Sequence, residues 1–246
     1  MGLAFETSER DEPRLGLIVL QSDETIENEF CRLIPSEATL HVSRVPSADE
    51  VTPETLAEME HHISASARLL PLPARFDAVG YGCTSGTSVI GIERIGDLVR
   101  SGTTTRSVTQ PVSALIAACA ELGVSRLAFL SPYVGTVSSR MRAVLAENGI
   151  DTPLFGSFET SEEALVARIT PASILEAAVS LMDDPAAEAI FISCTNLRTL
   201  DIIEEIEART GRPALSSNQV LAWHLSRLAG MEIRRREFGK LLFNNT

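Results

Sequence analysis

Residues 78–88 read Ala-Val-Gly-Tyr-Gly-Cys-Thr-Ser-Gly-Thr-Ser, and residues 189–196 read Ala-Ile-Phe-Ile-Ser-Cys-Thr-Asn. Each stretch is a short apolar run that ends in a cysteine and then turns into small hydroxyl-bearing or amide residues. A run of four to eight apolar residues bounded by turn signals is the pattern of a buried strand, and a strand leading into a small-residue turn marks the carboxyl edge of a parallel sheet. Working backwards from each cysteine, the same order of segments appears twice. The first half offers strands at 15–20, 39–45 and 78–81 with helices at 24–33 and 53–70. The second offers strands at 126–131, 153–158 and 189–193 with helices at 134–148 and 171–182. Cys83 lies 63 positions after Leu20, and Cys194 lies 64 after Leu130, so each cysteine holds the same place in its half. Strands alternating with amphipathic helices in two copies predict an α/β protein with internal duplication.

Between the halves, residues 89–123 read as a linker with a further strand near 106–108 and a helix opened by Pro111. Pro53 and Pro171 suit the first turn of a helix, with Thr52 and Thr170 as N-caps. A last helix at 220–228 is expected to pack back on the first half. The division predicted is 14–115 plus 217–246 for the N-terminal lobe and 116–216 for the C-terminal lobe, with 1–13 as a loose leader.

Composition narrows the function. The 246 residues carry a formal net charge of -12, which opposes a phosphate-neutralising surface and so a nucleic-acid partner. No apolar run approaches the length of a membrane span, and the first residues lack a signal peptide's basic start, so a cytoplasmic protein is expected. Lys240 is the only lysine, which leaves little for pyridoxal phosphate chemistry. The cysteines at 31, 83, 119 and 194 form no CxxC, and the four histidines show no ligand spacing, so no metal site is expected. Cys31 and Cys119, inside helical patterns, read as packing residues.

In open parallel sheets ligands sit beyond the carboxyl ends of the strands. Cys83 and Cys194 are both expected there, on opposite sides of one cleft, where one thiol can remove a proton and the other return it. Each is expected to precede a helix whose free N–H groups would lower its pKa toward the reactive thiolate. The run Thr84-Ser85-Gly86 adds hydroxyls and a glycine that lets backbone N–H groups approach a carboxylate, and Thr195 and Asn196 are placed to do the same opposite. A buried cysteine at a strand end is more often packing than chemistry. The matched placement of two favours chemistry.

Five segments carry a family likeness: GLIVLQSDETIE at 16–27, YGCTSGTS at 81–88, SPYVGTV at 131–137, SCTNLRTLD at 193–201 and SSNQVLAWHL at 216–225. Together they resemble the maleate cis-trans isomerases and arylmalonate decarboxylases of the Asp/Glu racemase superfamily. Within that branch, the 23–27 and 197–201 segments look most like the ectoine-utilisation protein EutA. The resemblance implies two pseudo-twofold-related, Rossmann-like lobes with the active site between them, a homodimer or homotetramer, and no metal or organic cofactor. It implies that Cys83 adds to a substrate double bond or removes an α-proton, that Cys194 is its partner acid or base, and that Tyr133 binds a substrate carboxylate. Decarboxylases of this branch lack the first thiol, so the pair implies an isomerase or racemase of a small carboxylate. Ser131 is a further candidate donor.

The chain departs from the maleate isomerase pattern at Asp23 and near Glu163, where asparagines are expected. A carboxylate beside a dicarboxylate is repulsive at low dielectric. Asp23 is therefore expected to recognise an amino or other cationic group, making the substrate an amino acid or a derivative of one. The alternatives are an Asp/Glu-type racemase using the thiols only for proton transfer, and a small-molecule binding protein without turnover.

Overall fold

The computed structural model describes residues 1–8 and 12–243. The expected leader includes residues 9–11 and the expected end of the N-terminal lobe includes 244–246, which lie outside the described residues. Residues 1–8 are exposed and carry no helix or strand.

The first half runs β1 (Arg14–Leu20), α1 (Ile26–Leu33), β2 (Thr39–Val45), α2 (Pro53–Glu58), α3 (Glu60–Ala67), β3 (Phe76–Gly82), α4 (Thr84–Ile90), α5 (Ile92–Gly102) and β4 (Thr105–Thr109). Helix α6 (Pro111–Leu122) leads into the second half: β5 (Arg126–Tyr133), α7 (Gly135–Glu147), β6 (Asp151–Thr160), α8 (Glu163–Val166), α9 (Pro171–Leu181), β7 (Ala189–Ile192), α10 (Ile203–Thr210), β8 (Ala214–Ser216) and α11 (Ser217–Leu228). Strands β1 to β4 form one sheet in the order β2-β1-β3-β4, and β5 to β8 form another in the order β6-β5-β7-β8; every pairing is parallel. The two-lobe α/β architecture is thus as the alternating pattern predicts, with one strand more in the second half and α5 within the linker. The helix expected over 53–70 is two helices, divided at Met59.

The central strands β1, β3, β5 and β7 are buried on both faces, and side-chain alternation distributes their residues between two cores. Ile18, Val79, Tyr81, Ala128, Leu130, Ile190 and Ile192 enter one, and Leu15, Leu17, Val19, Ala78, Leu127, Phe129, Ala189 and Phe191 the other. Each core therefore runs through both halves, which locks the two sheets into one body. Thr52 and Thr170 cap α2 and α9 through Thr55 N–H and Ser173 N–H, with Pro53 and Pro171 in the first turn. Helix α11 starts earlier than its apolar pattern indicates, at a capping box between Ser216 and Gln219, and packs on α6, β3, β4 and α1. Helix α6 runs unbroken through residues 115 and 116.

The strand order explains where a site forms. From β1 the chain crosses to one side and from β3 to the other, so the β1–α1 and β3–α4 loops flank a crevice at the carboxyl edge. The β5–α7 and β7–α10 connections do the same in the second sheet. The halves meet over these edges through an antiparallel bridge between Glu50 and Glu162, with Val51 N–H donating to Ser161 O at 2.8 Å and Glu163 N–H to Asp49 O at 3.0 Å. That reciprocal pair sits on the approximate dyad, and makes Val51 the mate of Glu163. No helix among the described residues is long and apolar enough to cross a membrane.

Candidate active site

Leu20, Asp23, Leu56, Cys83, Thr84, Ser85, Tyr133, Glu163, Cys194 and Thr195 line one narrow cavity between the halves. Both thiols and six of the other candidate residues are brought together in this cavity. Free space inside is about 10 Å³, which is room for about one water. No lysine, arginine or histidine is among the lining residues. A larger cavity of about 440 Å³ lies beside α6 and α11, lined by Trp223 and Arg227 among others. It holds no thiol, and its acids Glu121 and Glu232 are already paired with Arg227 and Arg234.

Cys83 is the N-cap of α4, in ordinary extended backbone, and its sulfur accepts the Gly86 N–H at 3.2 Å. A Cβ at position 86 would stand 2.9 Å from Cys83 Sγ and from Met59 Cε and 3.1 Å from the Tyr81 hydroxyl, so any larger residue there would crowd the sulfur and force its neighbours to shift. Cys194 departs from expectation: no helix starts behind it, since α10 begins at Ile203. Its φ is +147°, a conformation an L-residue adopts at a cost. Side chains from elsewhere hold the loop there. Cys194 N–H donates to Ser217 Oγ at 3.0 Å, Asn218 Nδ2 to Thr195 O at 2.8 Å, and Thr25 Oγ1 to Asn196 O at 3.0 Å. Glu29 Oε1 accepts both Thr199 N–H and Leu200 N–H. The Cys194 sulfur accepts Asn196 N–H at 3.3 Å.

The expectation that both thiols are acidic fails. Burial pushes Cys83 up to about 12 and Cys194 well above the ordinary thiol range. Desolvation, to which the nearby Glu163 and Asp23 charges add, outweighs the groups that oppose it: the Gly86 N–H and Tyr81 hydroxyl at Cys83, and the Tyr133 hydroxyl and Asn196 N–H at Cys194. Both thiols are therefore protonated in the resting site.

The two carboxylates have different surroundings. Asp23 Oδ1 accepts Thr25 N–H and Ile26 N–H, each at 2.8 Å, at the start of α1. Its Oδ2 is buried without a hydrogen-bond partner; the Thr195 hydroxyl is close enough to favour the charged form, but its hydrogen bond goes to Gly82 O at 3.3 Å. Glu163 has both oxygens engaged: Oε1 accepts from the Tyr133 hydroxyl at 2.7 Å and Oε2 from Asn196 Nδ2 at 2.9 Å. Tyr133 Oη also lies 3.1 Å from Cys194 Sγ. Desolvation raises the pKa of both acids.

Three candidates stand behind the cavity wall. Gly86 and Asn196 serve the sulfurs as described. The Ser131 hydroxyl accepts from Ser138 Oγ and Tyr133 N–H and so shapes the β5 end. Sequence reasoning missed Ser217, whose hydroxyl accepts from both Thr84 Oγ1 at 2.8 Å and Cys194 N–H, joining the two thiol loops. The signal available was its place just after a short strand in the 216–225 segment. Cys119 is buried as expected, but Cys31 is exposed on α1. Among the described residues no group of three His, Cys, Asp or Glu side chains is arranged to hold a metal ion.

Relatives agree with this architecture. Maleate isomerase of Pseudomonas putida strain KT2440 is 25% identical over 219 residues, spanning 83% of this chain and 86% of its own. Arylmalonate decarboxylase of Bordetella bronchiseptica is 34% identical over 122 residues, spanning 49% and 51%. The crystal structure of the maleate isomerase Iso from Pseudomonas putida S16 superposes with a TM-score of 0.84 at 26% identity, covering 94% of this chain and 98% of the other. The family model for arylmalonate decarboxylase matches residues 16–242. The chain belongs to the arylmalonate decarboxylase family.

Proposed function

We propose that the protein is a cofactor-independent isomerase of a small carboxylate that works with Cys83 and Cys194 as paired thiols. The observation that carries this is the meeting of both sulfurs, from equivalent positions of two duplicated sheets, in one cavity with the hydroxyls of Thr84, Ser85, Tyr133 and Thr195. Hydroxyls of that kind suit a carboxylate, and two opposed thiols suit attack or proton removal on one face with return on the other.

The substrate is a carboxylate that also bears an ammonium group. Support comes from Asp23, which lines a site without a basic side chain and whose buried Oδ2 has no hydrogen-bond partner of its own. A buried unpaired acid oxygen is costly, and a substrate ammonium would satisfy it. The resemblance of the 23–27 segment to ectoine-utilisation proteins agrees with a nitrogen-bearing substrate. The same observation favours, as a second reading, racemisation of an amino acid by proton transfer alone. Incubation in deuterium oxide with a panel of amino acids and of unsaturated dicarboxylates separates these. Deuterium entering the α-position supports proton transfer, a cysteine adduct seen by mass spectrometry supports addition, and turnover of maleate above every amino acid rejects the ammonium-bearing substrate.

A further inference from the structure

The two thiols differ in what stands behind them. Beside Cys83 is the Tyr81 hydroxyl, which turns toward the Met59 sulfur at 3.8 Å, a group that takes no proton near neutral pH. Beside Cys194 is the Tyr133 hydroxyl at 3.1 Å, which donates at 2.7 Å to Glu163 Oε1. The Tyr133 hydrogen being committed to Glu163, the hydrogen between its oxygen and the sulfur is the thiol's own. Cys194, Tyr133 and Glu163 therefore make a continuous donor chain ending on a carboxylate.

We propose that Glu163 is the proton acceptor for Cys194, reached through the Tyr133 hydroxyl, so that Cys194 becomes a thiolate without giving its proton to water. This rests on the reading of Cys194 as one of the two reacting groups. The Cys194 S–H bond breaks as an O–H bond forms to the Tyr133 oxygen, and the Tyr133 O–H bond breaks as its proton joins Glu163 Oε1. Thiol and carboxylate become thiolate and carboxylic acid; total charge is unchanged, and the reverse transfer returns the proton.

Three observations support the relay. The cavity has room for about one water, so bulk solvent does not serve as the base. Burial raises the pKa of Glu163 above the ordinary carboxyl value, which improves it as an acceptor. Its dyad mate is Val51, so the acceptor belongs to one thiol alone. Asn196 Nδ2 on Oε2 and the Asp49 carbonyl on the Glu163 N–H hold the acid in register. The other titratable groups facing this line are Asp23 and Cys83.

The test needs no substrate. In the full chain, alkylation of Cys194 by iodoacetamide is followed by peptide mass spectrometry from about pH 5.5 to 9, with exposed Cys31 as an internal control. When a thiol and an acid share a proton, the thiolate fraction is constant between their two macroscopic pKa values. The intact protein should thus show a Cys194 rate that is flat for at least about one pH unit near neutrality. Glu163→Gln should climb about tenfold per pH unit over that span, and Tyr133→Phe, which keeps the acid, should lower the plateau about tenfold or more. Asp23 titrates in all three proteins and does not distinguish them. A tenfold climb throughout in the intact protein overturns the relay. Should Glu163→Gln fail to fold, the plateau of the intact protein and its lowering by about tenfold or more in Tyr133→Phe decide the matter. If the plateau is present while Cys83→Ser and Cys194→Ser leave turnover untouched, the two-thiol function falls and the relay stands.

Discussion

The corner that carries Cys83 and the corner that carries Cys194 occupy equivalent places in two sheets of the same strand order, yet different forces build them. At Cys83 the local backbone suffices: the residue caps α4 in relaxed extended geometry and Gly86 brings its N–H to the sulfur. At Cys194 no helix starts directly after the residue, φ is +147°, and the loop is held by Thr25, Glu29, Ser217 and Asn218 reaching in from two other segments. A local motif needs one short stretch of chain to be right. A cradle of distant side chains needs several at once. Duplication supplied two sulfurs, and the divergence of their supports supplied two chemical characters.

Serine at each position is the severest way to break the comparison. Cys83→Ser and Cys194→Ser should each lower kcat by about 10³-fold or more, and the double variant should be scarcely worse than either, because residues acting as a unit are not additive. Steady-state rates on whichever substrate the panel identifies measure this. A double variant slower by the product of the two losses would mean that the thiols act independently.

The next largest effect falls on the Cys83 side alone. Gly86→Ala would put a Cβ 2.9 Å from Cys83 Sγ, and overpacking of this kind costs about 1–3 kcal/mol. Turnover should drop about 10- to 100-fold, since displacement of a reacting atom by about 1 Å or less has such consequences. Urea unfolding and kcat together check it. Unchanged stability and rate in the Gly86→Ala variant would show that the α4 turn relaxes freely around the sulfur.

On the Cys194 side the vulnerable group is Glu29. Burial raises its pKa from 4.5 to about 6, so the native state binds its proton more tightly than the unfolded chain does. The contribution to stability is complete below pH 4.5 and lost as pH rises through 6, amounting to about 2 kcal/mol. Between pH 4.5 and 6 the Glu29 contribution therefore falls with pH, the reverse of an ordinary salt-bridged acid. Glu29→Gln should remove that component of a plot of unfolding free energy against pH. If the slope in this window is the same in both proteins, the carboxylate that holds Thr199 and Leu200 titrates outside it.

How much of this is legible in the sequence follows the same division. Strand alternation, proline and threonine at helix starts, and a cysteine before small residues are local signals, and they locate β1, β3, β5, β7 and both thiols. The supports of Cys194 are polar residues whose partners lie far along the chain, as with Glu29 and Thr199 or Ser217 and Thr84. Nothing beside them in sequence announces the pairing. The acidic run 201–207 shows the same limit: Asp201 is exposed and pairs with Arg32, whereas Glu207 turns inward to accept Ala214 N–H and Lys240 N–H. The thiol pKa values escape sequence reasoning because small residues after each cysteine suggest a helix start, which only Cys83 has, while the depth of burial that dominates at both is not visible there.

The smallest expected effect is the sharpest on the backbone difference, because it predicts a change of sign. At position 83, φ is -147°, available to any residue, so glycine gains nothing there and Cys83→Gly should be less stable than Cys83→Ala by about 0.5–1 kcal/mol. At position 194, φ of +147° penalises any side chain by about 1–3 kcal/mol, which more than offsets the greater entropy glycine loses on folding. Cys194→Gly should accordingly be more stable than Cys194→Ala, by about 1 kcal/mol. Both comparisons remove the same sulfur on each side, so desolvation and cavity costs largely cancel within each pair. Urea midpoints of the four variants give the signs directly. If alanine is preferred at both positions, Cys194 sits in a relaxed conformation, and the side chains reaching in from Thr25, Glu29, Ser217 and Asn218 are not restraining strain but merely satisfying a loop that would hold its shape without them.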